Sequence, residues 1–128
     1  MVTLHDLSGI TNEIVSRLYV AGISNLDQLV RYGATSVGRM QIADKASLDY
    51  SQIKRWVHQA DLLRLDGMTP RLSEKLLSIE VLTIPKLAYK DSSDICKRLF
   101  DEFGVTESSE LIQTLIRQAK TMPKLINH

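Results

Sequence analysis

The chain repeats itself. Leu4-His5-Asp6-Leu7-Ser8-Gly9-Ile10-Thr11 aligns with Leu62-Leu63-Arg64-Leu65-Asp66-Gly67-Met68-Thr69. The alignment runs on without a gap. Ile14 pairs with Leu72, Arg17 with Lys75, Leu18 with Leu76, Ile23 with Val81, Leu26 with Ile84, and Leu29 with Leu87. After one inserted residue, Ile53, Trp56, Val57, His58, Gln59 and Ala60 pair with Ile112, Leu115, Ile116, Arg117, Gln118 and Ala119. Few pairs are identical, yet the apolar positions stay in phase over a unit of about 58 residues, which chance agreement along one helix would not produce. A duplicated chain of 128 residues is expected to form two similar units, 1–61 and 62–128.

The hydrophobic period is helical throughout. Ile14, Leu18 and Ala21 fall at i, i+4 and i+7, and Ile53, Trp56, Val57, Ala60 and Leu63 form another such stripe. Thr69-Pro70 predicts a helix start: the threonine oxygen caps an orphan amide, and a proline at the first position loses no hydrogen bond. Thr11 is the equivalent cap in the first unit. Ser24 with Asp27, Thr83 before Ile84-Pro85, Ser92 or Ser93, and the stretch from Glu107 to Ser109 predict further starts. Gly22, Gly33 and Gly104 stand where helices should end in the left-handed conformation. Val81-Leu82-Thr83-Ile84-Pro85 looks strand-like, but the repeat sets it over a helix start. No glycine or proline interrupts Ser47 to Leu65, so one helix over 48–65 is expected to connect the units, which pack as one body or as two lobes sharing it. Pro123 ends the last helix, and Lys124 to His128 read as a frayed tail. The expected fold is all-α.

Composition narrows the function classes. Sixteen basic residues stand against 15 acidic ones, a net charge of +1, which argues against a dedicated tight nucleic-acid binder but not against a local basic face. Residues 1–61 hold Arg17, Arg31, Arg39, Lys45, Lys54 and Arg55 against Asp6, Glu13, Asp27, Asp44, Asp49 and Asp61, so that half is no basic stripe. The lone cysteine, Cys96, excludes an internal disulfide and fits a reducing compartment. No apolar run approaches the roughly 20 residues of a membrane span, and Met1 to Asp6 lacks the features of a signal peptide. A cytoplasmic protein with no membrane partner is expected.

The segments Leu4-x-x-Leu7-Ser8-Gly9-Ile10-Thr11 and Leu62-x-x-Leu65-Asp66-Gly67-Met68-Thr69-Pro70, each followed by an amphipathic helix, resemble the helix-hairpin-helix motif. The glycine lets the backbone reverse, and Ile10 or Met68 fills the angle between helices. The chain resembles, from about Leu4 to about Lys120, a bacterial family of tandem helix-hairpin-helix proteins with no assigned function. Ile23-Ser24-Asn25-Leu26-Asp27-Gln28-Leu29 also resembles a short piece of the C-terminal domain of the RNA polymerase alpha chain, a domain that contacts DNA and activator proteins. The resemblance implies two tandem helix-hairpin-helix units whose turn amides and following helix N-termini hold a phosphate without reading sequence. It carries over to Gly9, Ile10 and Thr11, and to Gly67, Met68 and Thr69. Arg17 and Lys75 would flank the backbone, with Arg71 and Arg64 adding charge near the second turn.

The chain departs from that pattern. Threonine replaces the second glycine of both hairpins, and a threonine cap occupies an amide that a phosphate would otherwise contact. Glu13 and Asp66 set carboxylates beside the turns. Each candidate also has a plainer reading: Gly9 and Gly67 as tight turns only, and Arg17 and Lys75 as a solvated helix face, with Glu13 and Arg17 an i, i+4 pair. By its match to Leu115, Trp56 reads as core or as a contact between copies of the chain. Tyr19, Tyr32, Tyr50 and Tyr89 are not grouped along the sequence as a stacking surface requires. His5, His58 and His128 lack metal-ligand spacing, and His58 matches Arg117, an exposed polar position. Neighbouring Lys97 and Arg98 favour a lowered Cys96 thiol pKa, against the plainer reading of a small buried residue. No phosphate-cradling loop, nucleophile motif or carboxylate pair is present. The expectation is therefore a non-catalytic module without cofactor or metal, contacting a nucleic-acid backbone through its hairpins. The alternative is a protein-interaction or assembly adaptor, served by an apolar groove between the units. Self-association near Trp56 is a third route, giving a homo-oligomer.

Overall fold

Side-chain caps set where the helices begin. In the computed structural model, which describes residues 2–81 and 83–126, Thr11 accepts from the Ile14 N–H at 3.2 Å and Thr69 from the Leu72 N–H at 3.1 Å. Thr83 accepts from Lys86 N–H and Ser108 from Leu111 N–H in the same way. Each such cap is worth about 1 kcal/mol. The chain runs through a short 3-10 turn (Leu4–Asp6) and then α1 (Asn12–Val20), α2 (Leu26–Tyr32), α3 (Ser36–Ala46) and α4 (Tyr50–Leu62). It continues with α5 (Pro70–Ser78), α6 (Ile84–Ala88), α7 (Ser92–Phe103) and α8 (Ser109–Thr121). No strand occurs among the described residues, and the fold is all-α. Of the strand-like stretch, Leu82 lies outside the described residues.

Two compact units result: Met1–Asp61, rejoined by the chain from Leu125 onward, and Leu62–Lys124. In the first, α3 packs on α1 and α2. Leu18, Ile23, Leu29, Ile53 and Val57 are fully buried, with Leu4, Leu7, Val15 and Trp56 close behind. In the second, α8 packs on α6 and α7, and Leu72, Leu76, Val81, Leu87, Ile95, Leu99, Ile112 and Leu115 form the core. Each such aliphatic side chain contributes roughly 1.5–3 kcal/mol of transfer free energy, which is what holds these short helices in place.

The two units share a helix ending. After α1, Gly22 N–H donates to Tyr19 O and Ile23 N–H reaches back to Leu18 O at 2.8 Å. After α5, Glu80 N–H donates to Leu77 O and Val81 N–H to Leu76 O at 2.9 Å. Both are Schellman closures, in which the residue after the cap must be left-handed. Gly22 satisfies this at φ +90° without cost, while Glu80 is held at φ +66° despite its side chain. Asn12 and Pro70, and Leu26 and Ile84, begin helices at one common spacing. Ser36 and Ser92 are two residues closer than that, and Tyr50 and Ser109 one residue further apart. The expected single insertion is thus a shortened connection before α7 followed by a lengthened one before α8.

Several expectations change at the helix ends. The helix expected over 48–65 spans only Tyr50–Leu62. Ser47, left-handed at φ +54°, ends α3, and Leu48 N–H closes on Ala43 O at 2.9 Å. At the other end Leu65 N–H turns back to Leu62 O and Met68 N–H to Leu65 O, both at 3.1 Å. The cap of α2 is Asn25 rather than Ser24, whose N–H and hydroxyl both donate to Gln28 Oε1 at 2.7 Å. Asp91 occupies the cap position of α7, ahead of Ser92 and Ser93. Gly33 ends α2 without a left-handed backbone; a Cβ there would lie 2.5 Å from Val57 Cγ2 and 2.7 Å from Leu29 O, so close packing is what requires glycine. In the expected frayed tail, Ile126 is buried while Leu125 is exposed; Asn127 and His128 lie outside the described residues.

Candidate nucleic-acid interface

The first turn, Leu7 to Thr11, is built around Gly9 at φ +72°, exposed and with open space where a side chain would stand. Its amides are partly committed. Ile10 N–H donates to Leu7 O at 3.3 Å, and Ser8 N–H donates to Gln59 Oε1 at 2.8 Å. The Trp56 indole N–H donates to Ser8 O at 2.7 Å. The turn is therefore pinned to α4. Arg17, the cation expected beside it, is engaged twice: with Glu13 at 2.9 Å and with the Ser47 carbonyl at 2.9 Å. Glu13 itself is well exposed in the first helical turn.

The second turn repeats the construction. Gly67 is left-handed at φ +92°, and Met68, buried, donates its N–H to Leu65 O. Asp66 N–H donates to Gln118 Oε1 at 2.9 Å, and Gln118 Nε2 donates to Asp66 O at 2.8 Å. Thr69 is exposed and caps α5. Pro70 removes an amide that Asn12 retains at the equivalent position. Arg71 is exposed, and no hydrogen bond or ion pair holds its side chain among the described residues. Lys75 is half-buried with its ammonium 5.9 Å from the centre of the Phe103 ring, within cation–π range. Within each unit, then, glycine, apolar residue and threonine come together at one turn as expected. Among the described residues, Arg71 alone of the cations assigned to these turns has no partner, since Arg64 is half-buried and partnered.

Other expectations are corrected by burial. His58 is buried, not exposed. Trp56 is buried as well, the core place that its match to Leu115 implies, with its indole N–H used by Ser8. Arg39 is almost wholly buried, donating to Gly33 O at 2.9 Å and to the Tyr50 hydroxyl at 3.3 Å. That removes it from any solvent-facing charge. Cys96 is half-buried against the core of its unit, with Sγ 3.9 Å from Glu107 O. Burial, helped by the Glu107 carboxylate, pushes its thiol pKa up rather than down. Among the described residues no group of three His, Cys, Asp or Glu side chains is set to hold a metal ion. No helix among them is long and apolar enough to cross a membrane.

Sequence reasoning did not find a pair of clefts. Each unit has a hollow between its first Schellman turn, the end of its second helix and the middle of its third. In the first unit Ala21, Gly22, Tyr32, Gly38, Gln41, Ile42 and Lys45 line about 210 Å³. In the second, Glu80, Pro85, Lys86, Tyr89, Lys90 and Arg98 line about 520 Å³. Gly22 and Glu80 hold the same left-handed position in the two hollows. The first hollow carries one cation. The second carries three, with a tyrosine whose side chain is 90% exposed.

A family model described as a domain of unknown function matches residues 8–122. Searches of curated proteins and of solved structures returned no match to the chain.

Proposed function

We propose that this chain, which belongs to the DUF4332 family of domains of unknown function, is a non-catalytic module that contacts a nucleic-acid backbone without reading sequence. The second unit carries the contact. One observation supports this most directly: beside the Gly67–Thr69 turn, Arg71 is an exposed guanidinium with no internal partner among the described residues, one residue after Pro70 opens α5. Read as a helix-hairpin-helix, that turn offers the amides of Gly67, Thr69 and Arg71 to a phosphate, and the helix dipole favours the anion. The first turn contributes less, because Arg17 is tied to Glu13 and Ser47 and because Glu13 repels phosphate. Such a contact is electrostatic and weak, with a salt dependence set by the few phosphates it neutralises.

Fluorescence anisotropy with labelled duplex and single-stranded oligonucleotides, at low and at physiological salt, tests the reading. Binding at low salt that weakens in Arg71→Glu, with a flatter salt dependence, is the expected result. No binding of either oligonucleotide at low salt ends the proposal.

A second reading rests on a different surface. Tyr19, Val20, Val37 and Met40 of the first unit are each more than half exposed, Val20 at 80%. Exposed apolar side chains are the material of protein contacts, and on this reading the chain is an adaptor whose first unit docks a protein. Co-purification that yields one stoichiometric protein, unaffected by nuclease, would favour it over the nucleic-acid role.

A further inference from the structure

We infer that the cleft of the second unit, lined by Lys86, Tyr89, Lys90 and Arg98, is a binding site for single-stranded nucleic acid. Phosphates lie on the three cations, and a base stacks on the Tyr89 ring. The inference rests on the nucleic-acid reading above and names the strand type and the surface that receives it.

Comparison with the first unit isolates what is special here. The hollow belongs to the architecture, since both units form it between corresponding helix ends. Decoration alone differs. Where the second cleft has Lys86, Lys90 and Arg98, the first is lined by Tyr32, Gln41, Ile42 and a single Lys45. No hydrogen bond or ion pair ties up the side chains of Lys86, Lys90 or Arg98 among the described residues. Arg17 and Arg31, by contrast, are each held by a carboxylate four residues away. Three unpaired cations converging on one hollow concentrate positive potential there, and low-dielectric walls focus it.

Tyr89 decides the class of ligand. Its side chain, 90% exposed, presents a flat π-face beside the cations, at the residue that ends α6. An aromatic platform next to a cationic track is the pattern by which proteins hold unpaired strands, because every base has a face to stack and the contact tolerates any sequence. A paired duplex hides those faces. Glu80, the one carboxylate lining the cleft, opposes phosphates and lowers the affinity without cancelling three positive charges.

The test uses the full chain and a fluorescein-labelled dT12 oligonucleotide at low salt, with circular dichroism confirming that each variant is folded. Lys86→Glu with Arg98→Glu is expected to weaken binding at least tenfold and to flatten the salt dependence. Tyr89→Ala is expected to cost about tenfold on dT12 and nothing on a blunt duplex. Glu80→Gln is expected to tighten binding a few-fold, and Lys45→Glu in the first cleft to leave it unchanged. Thymidine monophosphate at the same nucleotide concentration should compete poorly; equal competition would make the ligand a free nucleotide and overturn the strand assignment. Displacement by polyglutamate as efficient as by unlabelled dT12, together with a silent Tyr89→Ala, would reduce the cleft to a general polyanion site and overturn it too. If the wild type binds dT12 and only Arg71→Glu weakens it, the cleft is wrong and the broader reading stands. If the wild type binds no oligonucleotide at all, both fall.

Discussion

Gln118 clasps the main chain of Asp66 from both sides, its Oε1 accepting the Asp66 N–H and its Nε2 donating to the Asp66 carbonyl. Gln59 does half of this in the other unit, accepting from Ser8 N–H, while Trp56 supplies the second half by donating to Ser8 O. A turn that opens each unit is thus fastened to the helix that closes it. Gln59→Ala is expected to destabilise the protein by about 2–3 kcal/mol, because a part-buried turn amide loses its acceptor and the buried Gln59 side chain leaves a cavity. Gln118, half-buried, should cost about 1–2 kcal/mol on truncation. Urea unfolding of the two variants checks both values and their order.

Gly33 meets α4 too closely for a side chain. Its φ is unexceptional, so Gly33→Ala should fail through steric crowding alone, by about 1–3 kcal/mol. Val57→Ala removes the crowding atoms on one side. The double variant should therefore be less unstable than the sum of the singles, a coupling measurable in a double-mutant cycle.

Glu80 and Gly22 make opposite predictions at matched positions. Glu80→Gly relieves a left-handed backbone and should raise stability by about 0.5–1 kcal/mol, less whatever the freer unfolded chain takes back. Gly22→Ala, where no neighbour crowds the added methyl, should lower it by a similar amount. Thermal unfolding of both variants reads the signs directly.

Cys96 has its thiol pKa raised by burial and by Glu107. A raised pKa leaves less thiolate at neutral pH, and thiolate is the nucleophile. Alkylation by iodoacetamide should therefore run slower than for a small-molecule thiol at pH 7, and accelerate as the pH climbs past the ordinary thiol range. Glu107→Gln should quicken it modestly at neutral pH.

What could be read from the sequence was what local chemistry decides. Thr11, Thr69, Thr83 and Ser108 cap as their residue type requires, and the helical period of the apolar positions marks much of both cores. Ser24 and Asn25 are both good caps, so the choice between them waits on Gln28, whose side chain takes Ser24 as a partner. Ser47 ends a helix in a conformation that glycine usually marks, so the break before α4 left no sign. Arg39 is buried because Gly33 O and the Tyr50 hydroxyl surround it, partners that only folding assembles. The second cleft was invisible for the same reason. Lys86, Tyr89, Lys90 and Arg98 sit on two helices and the turn between them, and no spacing rule joins them until α6 and α7 are laid on α8.

Ile126 gives the first unit a late component. It is buried and groups with residues that precede Asp61, yet it leaves the ribosome only after all of α5 to α8. The usual order of vectorial folding, amino-terminal body first, is therefore inverted for the last step: the body begun earliest cannot finish until the other has been synthesised.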